Sequence, residues 1–458
     1  MGSKQAVHVM KSIHLIKGYD LKIEGKPSAD IVELPRPSSL AALPFRIRFV
    51  KPRLLVKAGD IVKIGTPIFE DKRHPEVKFL SPGGGQIKDI NFGPRRVIEE
   101  IVIKLDADEQ HESFDTIAED DLPRFGRKQL IEMILHGGLW SLIRELPFRD
   151  FARPDTVPPA IVVNLDHLEP FQPQPDVYLN GKWQLFNYGL KVLQQLAKGN
   201  VIVSAGRDQI NGSTRLNRLI THAYQGRYPA HDPGVLIYRI KKSAAENHCW
   251  YIAGQDVLLL AQLLKTGTYP TERTVVVAGP SATVRKHLHT RLGVPLQLIA
   301  EGRTDPGNNR FVVGGALTGY SGSKQGYLGL FETSVTVLPQ GNEKGTLFDW
   351  AMPGFRKPSY TRGYLSYFNK GELKVDCNLH GGRRACIACN NCLEVCPVDI
   401  MPQLTYKTIL AGEVEEFLAH GLLDCVECGL CSYVCPSKIE LFQTLQKAKE
   451  DFCKELEQ

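Results

Sequence analysis

Cys386-Ile-Ala-Cys389-Asn-Asn-Cys392-Leu-Glu-Val-Cys396-Pro397 and Cys425-Val-Glu-Cys428-Gly-Leu-Cys431-Ser-Tyr-Val-Cys435-Pro436 are two copies of one pattern, C-x2-C-x2-C-x3-C-P. In that pattern three closely spaced thiolates fold round one corner of a cubane, and the fourth sits on the following helix and ligates the other cluster. The ligand sets are therefore interleaved. Cys386, Cys389, Cys392 and Cys435 are expected to hold one 4Fe-4S cluster, and Cys425, Cys428, Cys431 and Cys396 the other. Proline after each fourth cysteine fixes φ and keeps the loop from continuing in the same geometry. Paired four-thiolate zinc sites need only two C-x2-C knuckles each, with no use for the third cysteine or the proline. Soft thiolates in a reducing compartment favour iron–sulfur. Of 11 cysteines eight crowd into residues 386–435 and none precedes Cys249, a distribution that marks a local metal site and not a disulfide framework spread over a secreted fold.

Working outward, Leu410, Val414, Phe417, Leu418 and Leu422 recur at helical spacing and predict one amphipathic helix over the clusters. Ser437 and Glu440 read as a capping box for a closing helix with Leu441, Leu445, Ala448, Phe452 and Leu456 on one stripe. The remaining Cys249, Cys377 and Cys453 read as packed or free thiols, Cys377 preceding a glycine-containing linker, His380-Gly-Gly-Arg-Arg384.

The length, 458 residues, favours about three domains. With 43% hydrophobic and 23% charged residues the composition is that of a soluble globular protein. Its longest mainly apolar stretch, around Val257–Leu264, is far shorter than a bilayer span. The first residues, Met1-Gly-Ser-Lys-Gln-Ala6, have no apolar signal core or myristoylation pattern. Net charge is +6 with basic residues dispersed, so nucleic acid is not indicated. The one basic run, Arg46, Arg48, Lys51, Arg53 and Lys57, reads as a solvated strand face.

Residues 45–104 read as short strands. Gly59-Asp-Ile-Val-Lys-Ile-Gly65, then Ser81-Pro-Gly-Gly-Gly85-Gln-Ile87, looks like the barrel-sandwich hybrid of lipoyl and biotinyl carriers, its glycines supplying positive φ at tight corners. Lys72 stands where a lipoyl domain carries its modified lysine. No flexible tether follows, so an unmodified surface lysine on a reused scaffold is expected. From about 121 to 265, helical patterns (Arg127–Leu135, Leu190–Leu196) alternate with apolar runs (Ala160–Asn164, Val201–Ser204), predicting a Rossmann-like α/β layer. No G-x-G-x-x-G or P-loop appears, which gives no positive evidence for FMN or NADH. Gly137-Gly138 reads as a helix end. Residues 270–340 resume as strands with a short helix around Ala282–Leu292, a small β-grasp-like (SLBB-like) domain. The expected division is 1–112 (N-terminal segment and barrel), 113–268 (α/β), 269–340 (β-grasp), 341–375 (connector) and 376–458 (an α-helical, ferredoxin-like 2x(4Fe-4S) domain).

Lys17-Gly-Tyr-Asp-Leu21, the Gly59–Gly65 barrel with Phe69-Glu-Asp-Lys72, Thr336-Val-Leu-Pro339 and Asn378-Leu-His-Gly381 together resemble NqrA, the first component of the Na+-translocating NADH:quinone reductases (Nqr), over residues 12 to about 385. The cysteine-rich tail resembles instead the C subunit of the Rnf ion-translocating complex, through Cys396-Pro, Pro402-Gln-Leu404, Leu423-Asp-Cys425 and Ser432-Tyr-Val-Cys-Pro-Ser437. Where that Rnf component has a glycine-rich flavin and NADH loop, this chain has His136-Gly-Gly-Leu-Trp-Ser-Leu-Ile-Arg-Glu-Leu-Pro-Phe148. The resemblance implies an electron-transfer subunit of a bacterial oxidoreductase, on the cytoplasmic face, peripheral to membrane-embedded Nqr/Rnf-like partners and other redox proteins, with a quinone as a candidate ligand. No general acid or base constellation is evident, as suits a one-electron carrier. The alternatives are a soluble flavin- or NADH-dependent cofactor reductase and a structural adaptor whose clusters do not conduct.

Overall fold

The computed structural model describes residues 10–210, 214–341, 354–355, 358, 360, 365–378 and 381–457. Residues 1–6, most of the expected connector 341–375 and His380 lie outside the described residues.

The glycine-punctuated segment builds two antiparallel sheets around one core. One runs in the order Ser39–Ala42, Ile98–Leu105, Gly85–Phe92, Ile61–Val62, the other in the order Pro52–Leu54, Pro67–Asp71, Lys78–Leu80. Ile68, Phe69, Phe79, Ile87, Ile101 and Ile103 from both fill the interior. Gly59 and Gly65 take φ of +93° and +92°, the left-handed corners their positions demand.

Beside the barrel, the alternating segments form a parallel layer in the order Lys11–His14, His222–Gln225, Val201–Gly206, Ile161–Asn164, Trp250–Ala253, extended antiparallel by Arg144–Glu145 and Asp150–Phe151. Ile161, Val162 and Val163 are all buried, as befits a central strand covered on both faces. The chain winds outward from Ile161–Asn164 on one side and returns to its other side with Trp250–Ala253, which creates a crevice at the carboxyl ends of these two strands. Helices Arg127–His136, Trp183–Leu196 and Gly254–Thr266 pack against one another, and Gly137-Gly138 ends the first of them, Gly138 at φ +68°.

A fourth, six-stranded sheet is ordered Tyr320–Gly322, Asn309–Val313, Ser334–Pro339, Glu272–Ala278, Lys286–Arg291, Ile31–Glu33. Two strands of the N-terminal segment, Lys11–His14 and Ile31–Glu33, thus pair outside the barrel.

Four local expectations are corrected. The helix expected around Ala282–Leu292 is the strand Lys286–Arg291, because pairing on both sides, with Glu272–Ala278 and Ile31–Glu33, satisfies its backbone better than an isolated turn. The single helix between the cysteine runs is two, Pro402–Ala411 and Val414–Ala419, interrupted where Gly412 turns to φ +77°. The capping box does not form: Ser437 Oγ donates to the Ala385 carbonyl, and the closing helix Leu441–Leu456 starts without a side-chain cap. The basic run is a solvated strand face only in part: Lys51, Arg53 and Lys57 are exposed, Arg53 on the strand Pro52–Leu54, but Arg46 and Arg48 are not. Pro44–Arg46 is a 3-10 turn, the Arg46 guanidinium lies 3.5 Å from the Tyr320 ring centroid, and Arg48 reaches the cysteine-rich unit.

Candidate metal centre

The two cysteine runs repeat one backbone course. In the first, Ala388 and Asn390 adopt positive φ, Asn391–Glu394 forms a helical turn, and Asp399 again has positive φ. In the second, Glu427 and Gly429, the turn Leu430–Tyr433 and Lys438 do the same at the equivalent positions. Alternation of left- and right-handed residues aims successive N–H groups into a concavity, the kind of nest that cradles anionic clusters.

The fourth cysteine of each run packs with the opposite run. Cys396 clusters with Cys425 and Cys428, while Cys435 clusters with Cys392, Cys386 and Cys431. Cys431 sits between the groups, with Cys428, Cys425, Cys396 and Cys392 all near enough to influence its charge. Burial pushes Cys392 and Cys396 up to about 11, and burial together with neighbouring thiols pushes Cys428 and Cys431 well above the ordinary thiol range. Thiols packed this way resist ionising unless a cationic core compensates them, and an all-sulfur, soft donor set suits iron–sulfur chemistry.

Around the second run the rest of the molecule closes in. Lys449 Nζ donates to the Cys425 carbonyl (2.8 Å), Arg149 Nη2 to the Val426 carbonyl (3.0 Å) and Tyr228 Oη to the Cys428 carbonyl (2.8 Å). Glu427, buried, lies between Lys449 (3.3 Å) and Arg48. Burial alone would raise its carboxyl, but Lys449, Arg48 and Arg149 outweigh that and hold it below the ordinary range. Arg149 is itself paired with Asp232 at 2.8 Å. The Lys17–Leu21 motif belongs to the same seam: Lys17 pairs with Asp399 (2.8 Å), the Tyr19 ring stands 5.6 Å from that of Tyr433, and a Cβ on Gly18 would lie 2.4 Å from the Tyr228 carbonyl. Arg149, Tyr228 and Lys449 carry no sequence signal, and Arg48 stands out only as part of the basic run. Each is an unremarkable residue until distant segments are brought together.

The other expected residues lie elsewhere. Lys72 is exposed at the barrel hairpin, its N–H bonded to the Lys51 carbonyl, and neighbouring Arg73 ties the hairpin to Asp150 (2.8 Å) and Glu457 (3.0 Å). Cys249 and Cys453 are buried away from the cysteine runs, and Cys377 is partly buried. No sequence motif marks the crevice beside the parallel layer, a cavity of about 330 Å³ lined by Asp166, His167, Gly254, Glu332 and Phe331 among others. Behind it the rings of His167 and His231 lie 3.8 Å apart, followed by Tyr228, which bonds Cys428.

Against this geometry, residues 13–106 match the family model of the NqrA N-terminal barrel-sandwich hybrid domain and residues 125–269 that of the NqrA second alpha/beta domain. The NqrA component of the Na(+)-translocating NADH-quinone reductase of Yersinia pestis is 35% identical over 93% of this chain and 96% of its own length. That of Histophilus somni is 33% identical over 97% of this chain and 100% of its own. This chain belongs to the NqrA family. Its similarity to NqrA runs into the tail, where residues 385–439 also match a 4Fe-4S dicluster domain model. Within the family frame, the cysteine-rich unit docks on the barrel through Arg48 and on the α/β layer through Arg149. Among the described residues of this NqrA-family chain no helix is long and apolar enough to cross a membrane. A chain of the NAD+-reducing [NiFe]-hydrogenase in the H2-reduced state superposes at TM-score 0.37 and 13% identity over 77% of this chain and 67% of that one, too slight a likeness to argue from.

Proposed function

We propose that this chain relays electrons through two 4Fe-4S clusters, one held by Cys386, Cys389, Cys392 and Cys435 and the other by Cys425, Cys428, Cys431 and Cys396. The observation that carries the reading is the crossed packing of Cys396 and Cys435 onto the opposite runs. Crossing brings two clusters within electron-exchange distance, and the NqrA-like body positions them. The domain division drawn from the sequence, including a β-grasp-like third unit, accompanies this reading. In the assembly the chain sits on the cytoplasmic face as a peripheral component of an NADH (or ferredoxin):quinone oxidoreductase with membrane-embedded, Nqr/Rnf-like partners, and Lys72 stays unmodified. Anaerobic isolation is expected to give about eight irons per chain and two interacting reduced-cluster EPR signals. Replacing Cys396 by Ser is expected to perturb the signal of the Cys425 cluster while the Cys386 cluster stays intact. Colourless, zinc-binding protein, or damage to the Cys386 cluster instead, overturns the assignment.

A second reading is favoured by the crevice and the His167–His231–Tyr228 contacts leading from it to Cys428. In it the chain is itself a reductase that takes electrons from a flavin or NADH bound there. Anaerobic NADH titration of the isolated chain separates the two: bleaching of the clusters supports the reductase, and unchanged absorbance supports the relay.

A further inference from the structure

The quasi-repeat of the two runs shows what the first run lacks. In the second, Leu422, Val426 and Gly429 face the α/β and six-stranded units: Val426 meets Gly234, Gly429 approaches Leu317, and Arg149 and Tyr228 bond the loop. The equivalent residues of the first run are Arg383, Ile387 and Asn390, and all three are exposed, as are Ala388 and the ligand-position Cys389. Ile387 is 67% exposed where Val426 is 5%. Hydrogen bonds made by residues 383–390, among those described, stay inside the cysteine-rich unit. Thus the face that the second run uses to dock on the body is, among the described residues, open on the first.

Charge says what would cover it. Ser437 bonds both Ala385 and Arg384, which brings Lys438 beside Arg383 and Arg384 at the edge of the Cys386 loop. Neither arginine has an ion-pair partner among the described residues, and Glu440 is the single acid on these two loops. An apolar centre at Ile387 with a cationic rim suits an acidic protein surface.

We infer that this face is the port where an acidic one-electron carrier protein docks and passes its electron to the cluster of Cys386, Cys389, Cys392 and Cys435. The carrier loses one electron and the cluster gains it, with no bond made or broken. The inference rests on the two-cluster reading. Its test mixes the cluster-loaded full chain with an acidic flavodoxin reduced to its hydroquinone, whose semiquinone absorbance reports transfer in stopped flow. The second-order rate is expected to fall with added salt. The double variant Arg383→Ser/Arg384→Ser is expected to be about tenfold slower at low ionic strength with a flattened salt dependence, and Ile387→Asp slower than wild type at every salt concentration. All variants should keep wild-type iron content and photoreduce normally with deazaflavin, which needs no docking. Cluster-loaded variants that match the wild-type rate, or a wild-type rate indifferent to salt, overturn the port alone. Protein that isolates without clusters overturns the two-cluster reading and the port with it.

Discussion

Glu427 has 7% of its surface exposed and Lys449 1%, so each stays charged through its partners, Lys449 through Glu427 and Glu427 through Lys449 and Arg48. Removing one partner of a buried pair costs roughly 3–5 kcal/mol, since the survivor is left charged without compensation or must lose its proton. Glu427→Ala is therefore expected to lower the melting temperature markedly and to reduce iron bound at the Cys425 cluster, whereas Glu427→Gln, which keeps an acceptor, falls between. Metal analysis and thermal melts check this, and an alanine variant indistinguishable from wild type refutes it. Asp166 behaves oppositely. Burial raises its carboxyl from 3.8 to about 6, although Gly206 N–H donates to Oδ2 at 2.9 Å. The native state therefore holds a proton that the unfolded chain releases, so stability declines as pH rises from about 4 through 6 and stays reduced above, by about 3 kcal/mol. Asp166→Asn should flatten that part of the pH–melting profile, and an unchanged profile sinks the argument. The crossed packing of the two cysteine runs was legible because C-x2-C-x2-C-x3-C-P is a local spacing. The partners of Glu427 and the burial of Asp166 were not, because they are set by contacts between separate segments, 40 residues apart for Asp166 and Gly206 and 379 for Glu427 and Arg48.

Elements governed by local rules came through well. The glycine corners of the barrel, the alternation of apolar runs and helices in 121–265, and the glycine pair closing Arg127–His136 all appear where the sequence placed them. Elements decided by partners did not. Lys286–Arg291 looked helical alone, yet two neighbouring strands claim its backbone groups. Between the cysteine runs the apolar spacing carried through Gly412, but Leu410 and Val414 turn out exposed on either side of it. Helical periodicity continued past a residue whose φ of +77° ends the helix. A Cβ at Gly412 would meet no atom within 4 Å, so only backbone strain opposes substitution. Gly412→Ala is expected to cost about 1 kcal/mol and Gly412→Asn, which tolerates left-handed φ, about half of that. Comparing the melting temperatures of the three cluster-loaded proteins tests the ranking; an alanine variant as stable as wild type would mean the helix runs on.

Across the molecule the cysteine-rich unit is held on one side and, among the described residues, open on the other, an asymmetry that no sequence pattern announces. Arg48 of the barrel and Arg149 and Tyr228 of the α/β layer wall in the loop of Cys425 and Cys428, while Cys389 faces solvent. Cluster breakdown by oxygen needs the oxidant to reach the sulfur ligands, and thiolate susceptibility follows exposure. Iron loss in air is therefore expected in two phases of similar amplitude, the faster one belonging to the cluster of Cys386, Cys389, Cys392 and Cys435. Quenching with an alkylating agent partway and mapping by mass spectrometry should find Cys386 and Cys389 modified well before Cys425 and Cys428. Tyr228→Phe deletes one hydrogen bond of the wall without emptying its core, and should shorten the slow phase while leaving the fast one alone. Labelling in the reverse order, or a single phase that the variant does not change, would mean that the body of the molecule does not shelter the inner run.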